Sequence, residues 1–134
     1  MKIAGVADTH VALWYLFADP KLSVVAKAFI DDAGVAKEKI AISAISLVEL
    51  IYLIEKNRLS ASALERLNES LSNPEQVFIE TAVTGAVAGC MRYVTRAEVP
   101  DMPDRVIAAT AVHFEVPVIS RDRRRRAAKL KTVW

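Results

Sequence analysis

Four acidic residues of this chain stand where a carboxylate could take part in chemistry. Asp8 and Asp122 each follow a short apolar run that is typical of a buried strand, whereas Glu49 and Asp104 lie on helical patterns. In an open parallel sheet, ligands bind beyond the carboxyl ends of the strands. Four carboxylates gathered there would repel one another unless a cation lay between them. Oxygen ligands without Cys or His favour Mg²⁺ or Mn²⁺, and such an ion can activate water and stabilise a phosphoryl transition state.

Each of these acids also has a structural explanation. Ser46 and Glu49 match the S-x-x-E capping box, and Asp101 and Asp104 could begin a helix in the same way. The last of the four acids could be a turn residue before the basic segment that follows it. Asp8 is harder to explain structurally, because an acid directly after a buried strand is usually solvated only at a site. The occurrence of all four acids at equivalent places in the fold favours a metal site.

Strand and helix patterns alternate along the chain, and Thr9 could cap the first helix. Such alternation predicts an α/β domain with a mostly parallel sheet of four to five strands. No internal repeat, linker or low-complexity segment is present, so we expect a single domain over residues 1–134. The predicted strands lie at residues 3–7, 40–43, 76–80 and 117–120, and the predicted helices at 11–17, 23–34, 45–54, 59–71, 82–94 and 104–114.

Composition limits the classes of function that are open to the chain. The 134 residues are 53% hydrophobic, which indicates a well-filled core in one domain. Cys90 is the only cysteine, so an intramolecular disulfide and a thiolate zinc cluster are both excluded, and a cytoplasmic protein is the default expectation. The chain has no stretch of about 20 apolar residues, so we expect no contact with a membrane.

The net charge of +2 hides two regions of opposite sign. Residues 121–131 hold seven basic residues and one acid, a net of +6, and the rest of the chain therefore carries −4. Arginines at four consecutive positions cannot form one salt-bridged face, so they are either a solvated segment or contacts to phosphates. Arg105 could equally pair with Asp101 or contact a substrate. The predicted nucleic-acid contacts are Arg105, Arg121, Arg123 and Arg124.

Four segments carry a resemblance to a known family. They are VADTHVALW at 6–14, ISAISLVEL at 42–50, DMPDRVIAATA at 101–111 and VISRD at 118–122. In these segments, taken in this order, the chain resembles the PIN-domain ribonucleases of the VapC class, which are toxins of type II toxin–antitoxin pairs. The resemblance implies a three-layer α/β/α fold, cleavage of RNA with Mg²⁺ or Mn²⁺, and a cognate antitoxin as partner. A homodimer is expected as well.

The resemblance also assigns roles to residues. It places metal-binding and catalytic acids at Asp8, Glu49, Asp104 and Asp122. It places supporting residues at Ser120 and Asp101, and we expect Thr9 to support the site as a cap that also braces the metal-site loop. The chain departs from its relatives after the last acid, where they commonly carry an apolar or aromatic residue and this chain has Arg123–Arg126.

The function expected from these observations is that of a metal-dependent endoribonuclease. One alternative is a PIN-like binding module without catalysis. Another is a phosphoacceptor receiver domain, which needs a pair of adjacent acids after the first strand and a lysine after the last. This chain offers the single Asp8 and a Ser-Arg-Asp sequence at those places. Cleavage of structured DNA also stays open, because nothing in the sequence recognises a 2′-hydroxyl.

Overall fold

The structure is a computed structural model that describes residues 1–122 and 130–134. Strands and helices alternate through most of the chain, as the sequence predicts. The strands are β1 (Ile3–Ala7), β2 (Lys39–Ser43), β3 (Phe78–Thr81), β4 (Val118–Ile119) and β5 (Thr132–Val133). The helices are α1 (Thr9–Leu16), α2 (Val24–Val35), α3 (Ala44–Glu55), α4 (Ala61–Leu71), α5 (Gly85–Cys90) and α6 (Met102–Phe114), and a 3₁₀ turn at Met91–Tyr93 follows α5. Within these described ranges, no helix combines the length and the apolar character that crossing a bilayer requires.

The described strands form one parallel sheet in the order β3-β2-β1-β4-β5. From β1 the chain moves outward through β2 and β3, and then returns to place β4 on the opposite side of β1. The crevice between β1 and β4 is therefore the point where the strand order reverses, which is where open α/β sheets bind ligands. The fifth strand, β5, has only two residues, too few for an apolar pattern to reveal it in the sequence.

Side chains on successive strand residues point to opposite faces of the sheet, and both faces are buried. Val6 of β1 and Val118 of β4 pack with Ile107 of α6 on one face. Ala7 and Ile119, the next residues along the same two strands, belong to the larger core cluster on the other face, with α1, α2 and α4. Burial on both sides explains why the strands read as continuous apolar runs. The predicted three-layer α/β/α fold is confirmed.

Two predicted helices begin or end at other residues because of their caps. The helix expected at 82–94 is the shorter α5, since β3 continues to Thr81 and the Thr84 side chain accepts a hydrogen bond from the Val87 amide. Conversely, α6 begins before Asp104, because the Asp101 side chain caps it. Both differences follow from side chains that bond the exposed amides of a first helical turn.

A half-buried tyrosine ties α1 to α2 on the face opposite α6. The Tyr15 hydroxyl donates a hydrogen bond of 2.6 Å to Asp31, whose other oxygen accepts one of 2.7 Å from Lys27. The Tyr15 ring meets Phe78 of β3 edge-on, with 5.6 Å between centroids. Burial, the hydrogen bond and the negative charge of Asp31 raise the pKa of Tyr15 to about 12. The pKa of Asp31 is lowered, chiefly by the hydrogen bond from Lys27 and then by that from Tyr15.

We expect Tyr15→Phe to lower the free energy of unfolding by about 1 kcal/mol at neutral pH, because one hydrogen bond to a partly exposed carboxylate is lost. Because folding raises the pKa of Tyr15 above its unfolded value of about 10, its contribution is complete below pH 10 and is lost as the pH rises through about 12. Urea denaturation of both proteins from pH 7 to pH 11 checks this. A difference in stability that grows with pH would contradict it.

Candidate active site

One open cavity of about 480 Å³ lies at the carboxyl edge of the sheet, beside the crevice between β1 and β4. It collects all four acids that the sequence singled out, together with a fifth carboxylate and a single arginine from the described residues. Its residues follow the ends of β1 and β4, or lie on α1, in the middle of α3 and at the start of α6. The lining residues are Asp8, His10, Val11, Trp14, Glu49, Asp101, Asp104, Arg121 and Asp122.

The carboxylate of Asp8 is held from two sides. One of its oxygens accepts a hydrogen bond of 2.8 Å from the Thr9 amide, and the other accepts one of 3.0 Å from the Ser120 hydroxyl. The Asp8 backbone amide donates to the Ile119 carbonyl at 3.0 Å, which continues the pairing of β1 with β4 beyond the strand ends. This acid therefore has a defined orientation at the switch point of the sheet.

The Ser120 hydroxyl links two acids of the cavity. It is fully buried, and besides donating to Asp8 it accepts a hydrogen bond of 3.1 Å from the Asp122 amide. An amide can only donate, so the single proton of the hydroxyl is directed to Asp8. These two hydrogen bonds support the predicted role of Ser120, because one hydroxyl sets the position of Asp8 relative to the backbone of Asp122.

We expect Ser120→Ala to lower both activity and stability. Asp8 and the Asp122 amide would each lose a partner in a half-buried place, which costs about 1–2 kcal/mol of unfolding free energy. Loss of such a supporting contact typically costs about tenfold in activity or metal affinity. Ser70→Ala is the matched control, because the buried Ser70 hydroxyl has no hydrogen-bond partner among the described residues. Wild-type activity and melting temperature in Ser120→Ala would contradict the assignment.

Of the two roles expected of Thr9, capping α1 and bracing the metal-site loop, the structure contradicts the first. The residue that caps α1 is Asp8, and Thr9 is the first helical residue, so the expectation that Thr9 is the cap is wrong. Its buried hydroxyl instead donates a hydrogen bond of 2.8 Å to the Ser46 hydroxyl of α3. Glu49 lies one turn beyond Ser46 on the same helix. The bond therefore fixes the helix that carries Glu49 against the turn that carries Asp8.

Glu49 has no part in a capping box. The cap of α3 is Ser43, whose side chain accepts from the Ile45 amide, and Ser46 lies inside the helix. The structural explanation offered for Glu49 by the S-x-x-E pattern is therefore excluded. Glu49 is half-buried and its side chain lines the acidic cavity.

At the start of α6 the two acids differ in what they do. Asp101 is the cap and accepts a hydrogen bond of 3.2 Å from the Asp104 amide, and Asp104 occupies the first turn of the helix. Both carboxylates line the cavity. The capping explanation accounts for Asp101, whereas Asp104 is not the cap and stays a candidate ligand.

The predicted arginine contacts divide into three cases. The Arg105 guanidinium donates to the carbonyls of Val94 and Met91, at 2.9 and 3.0 Å, rather than pairing with Asp101. It therefore holds the segment before α6, which corrects the expectation of an ion pair, while its contact with nucleic acid stays a prediction. Arg121 is exposed at the rim of the cavity. Arg123 and Arg124 lie outside the described residues.

The predicted sites omitted two aromatic residues that line the cavity, His10 and Trp14. They are one turn apart on α1, and their rings stack with 6.0 Å between centroids and an interplanar angle of 26°. The i, i+4 spacing predicts such a contact, because it places the two side chains on the same side of the helix. Trp14 is half-buried and also packs against the core.

The donors of the cavity suit a hard divalent cation in type. Carboxylate oxygens predominate and no thiolate is present, which favours Mg²⁺ or Mn²⁺. Among residues 1–122 and 130–134, however, no group of three or more His, Cys, Asp or Glu side chains is arranged to hold an ion. Coordination by several of these acids at about 2.1 Å therefore requires side chains to turn toward a common centre.

Comparisons of the sequence with known proteins find one matching family model and a similar ribonuclease. The sequence model of the PIN domain matches residues 6–130. Ribonuclease VapC22 from Mycobacterium tuberculosis (strain ATCC 25618 / H37Rv) is 30% identical over 132 residues, covering 95% of each chain.

Solved structures share the fold over nearly the whole chain. VapBC2 from Rickettsia felis, bound to a DNA fragment from its promoter, has a TM-score of 0.68 at 16% identity and covers 97% of both chains. FitAcB from Neisseria gonorrhoeae has a TM-score of 0.61 at 23% identity, covering 95% of this chain and 94% of that one. A toxin–antitoxin complex from Klebsiella pneumoniae has a TM-score of 0.61 at 19% identity, covering 98% and 97%.

Proposed function

Because this chain belongs to the PIN-domain family, we propose that it is a divalent-metal-dependent endoribonuclease and the toxin of a toxin–antitoxin pair. The observation that carries the proposal is the acidic cavity, where five carboxylates gather beside the point at which the strand order reverses. A relative that is 30% identical over almost its whole length is a ribonuclease by name. Family membership also sets aside the phosphoacceptor receiver domain as an alternative.

In this proposal Asp8, Glu49, Asp104 and Asp122 would hold Mg²⁺ or Mn²⁺. The bound ion would supply an activated water for attack on a phosphodiester and would stabilise negative charge on the leaving oxygen. Among the described residues, five carboxylates and one guanidinium line the cavity, and carboxylates are groups that a hard divalent ion binds.

The residues around the acids prepare the cavity for this chemistry. The Thr9 amide and the Ser120 hydroxyl hold the Asp8 carboxylate in place before any ligand arrives. The hydrogen bond from the Thr9 hydroxyl to the Ser46 hydroxyl fixes the position of α1 relative to α3. Arg121, at the rim, offers a positive charge to a phosphate without reading the base sequence.

A protein partner is the second part of the proposal. It is supported by structural neighbours that are described as VapBC2 and as a toxin–antitoxin complex. The expected homodimer stays a prediction.

Cleavage of RNA tests the proposed function. Purified protein is incubated with a single-stranded RNA, a hairpin RNA and a single-stranded DNA of the same sequence, in Mg²⁺, in Mn²⁺ and in EDTA. The proposal predicts internal cleavage of RNA that needs a divalent ion and is abolished by EDTA. Metal binding without cleavage would instead support the non-catalytic module, and cleavage confined to DNA would overturn the assignment to RNA.

A further inference from the structure

A second cavity, of about 500 Å³, adjoins the acidic one along α1. Its walls are mainly apolar and include Leu13, Phe17 and Leu59, and we call it the groove. Three residues, His10, Trp14 and Arg121, line both the groove and the acidic cavity. A ligand chain that leaves the acidic cavity on this side therefore passes directly over them.

The wall between the two cavities consists of planar groups. Trp14 is at its centre, with the His10 ring stacked on it at 6.0 Å and the guanidinium carbon of Arg121 at 5.1 Å from its ring centroid. Trp134 meets the same ring edge-on at 6.0 Å. Trp14 is thus held from several sides, whereas His10 and Arg121 are exposed.

The aromatic groups continue along the helix into the groove. Phe17, the residue after α1, lies three residues beyond Trp14 and seven beyond His10, a spacing that puts all three rings on one stripe of the helix. Phe17 is a large apolar side chain that is 51% exposed. Three rings in a row next to a phosphodiester site are more than packing of α1 requires.

The charges of the groove fit an anionic chain. Among the described residues, its lining carries Lys21 and Arg121 against the one acid Asp19. Aromatic rings and guanidinium planes beside positive charge are the features on which unpaired RNA bases stack. Stacking tolerates any base, so such a surface binds single strands without reading a defined sequence.

We propose that His10, Trp14 and Arg121 form a stacking wall for the unpaired nucleobase next to the scissile phosphodiester, with Phe17 continuing it into the groove. The inference rests on the proposed function, since it places an RNA strand in the acidic cavity. It adds a substrate preference: the chain binds single-stranded RNA, and it does so through the bases as well as through the backbone.

Binding of two probes of equal charge tests the wall. One probe is a short fluorescein-labelled oligoadenylate and the other is an abasic ribose-phosphate chain of the same length. Fluorescence anisotropy is measured with Mg²⁺ in the Asp8→Asn background, so that the probe stays intact. We expect Trp14→Leu to weaken binding of oligoadenylate about tenfold or more and to change binding of the abasic chain less than about twofold. Trp14→Phe should keep most of the affinity.

Two further variants keep the test informative if Trp14→Leu fails to fold. His10 and Arg121 are exposed, so His10→Ala and Arg121→Ala remove parts of the wall without opening the core. His10→Ala should weaken oligoadenylate selectively, and Arg121→Ala should weaken both probes. Phe114→Leu is the control, because Phe114 forms a ring pair with His113 at the far end of α6 and lines neither cavity.

The outcomes separate this inference from the proposed function. Equal loss for both probes in the Trp14 and His10 variants, or no loss in any folded variant, would overturn the stacking wall. Unchanged RNA binding together with loss of binding to the partner protein would assign the groove to that partner and would also overturn it. RNA cleavage by the unsubstituted protein is measured in a separate assay. Base-dependent binding without cleavage would contradict the proposed function and leave the stacking wall supported.

Discussion

We expect Asp8→Asn to lower the rate of RNA cleavage by about a thousandfold or more, equivalent to about 4 kcal/mol of transition-state stabilisation. Asparagine has nearly the same shape as aspartate and keeps one acceptor oxygen for the Thr9 amide or the Ser120 hydroxyl. It removes the negative charge that a divalent ion needs at the switch point of the sheet. The measurement is the initial rate of cleavage of a labelled RNA at saturating Mg²⁺ or Mn²⁺.

The control for that loss is a charge removed elsewhere. Asp32 on α2 lines none of the acidic cavity, so Asp32→Asn should cleave RNA like the unsubstituted protein. Thermal melting of both variants separates a lost charge from a lost fold. Cleavage by folded Asp8→Asn at the unsubstituted rate would remove Asp8 from the mechanism.

The second large effect is expected from Glu49→Gln, which should lower the rate of RNA cleavage about a hundredfold while leaving the free energy of unfolding nearly unchanged. The reason is that Glu49 caps no helix and is only half-buried, so its charge serves the cavity rather than the fold. Initial rates and urea denaturation of the same preparation measure the two quantities together.

Variants of two other residues in the α3 region serve as controls for this prediction. Glu55→Gln removes a similar charge from the exposed end of α3 and should not affect cleavage. Ser43→Ala removes the true cap and should lower the free energy of unfolding by about 1 kcal/mol. If Glu49→Gln lowered the free energy of unfolding as much as Ser43→Ala does, Glu49 would have a structural role and the prediction would be wrong.

The acids of the cavity are predictable from the sequence because their places follow from strand ends. A buried parallel strand reads as a short apolar run, so the residue pattern alone puts Asp8 and Asp122 at the carboxyl edge of the sheet. Asp104 follows from its position at a helix start. Glu49 cannot be separated from a capping box by spacing alone, because Ser43 and Ser46 are equally good caps and only the helix boundary distinguishes them.

Contacts between distant residues are beyond the reach of sequence patterns. The bond from Ser120 to Asp8 joins residues 112 positions apart, and the bond from Thr9 to Ser46 joins residues 37 apart. Arg105 follows a candidate ligand directly, which suggests a contact with substrate, yet backbone carbonyls of the preceding segment take its guanidinium. Such contacts depend on how the helices pack, and the local spacing of residues carries no information about that packing.

Nor do sequence patterns reveal the two-residue strand β5 or the exposure of Trp14. β5 pairs with β4 through Thr132 and Val133, and its neighbour Trp134 packs on Trp14. That packing places the aromatic stripe of α1 at the border between the acidic cavity and the groove. The net charge of +2 is likewise the sum of two parts, +6 in residues 121–131 and −4 in the rest of the chain, and Arg121, the first residue of the basic part, lines the acidic cavity.

Anomalous diffraction from crystals soaked in Mn²⁺ is the sharpest test of a metal site at the sheet edge, since it locates the ion independently of activity. We expect an anomalous peak inside the acidic cavity, with Asp8 and at least one of Glu49, Asp104 and Asp122 as carboxylate ligands. A fully soaked crystal without a peak in that cavity, or with the ion bound only away from these carboxylates, would contradict the proposed metal-dependent mechanism.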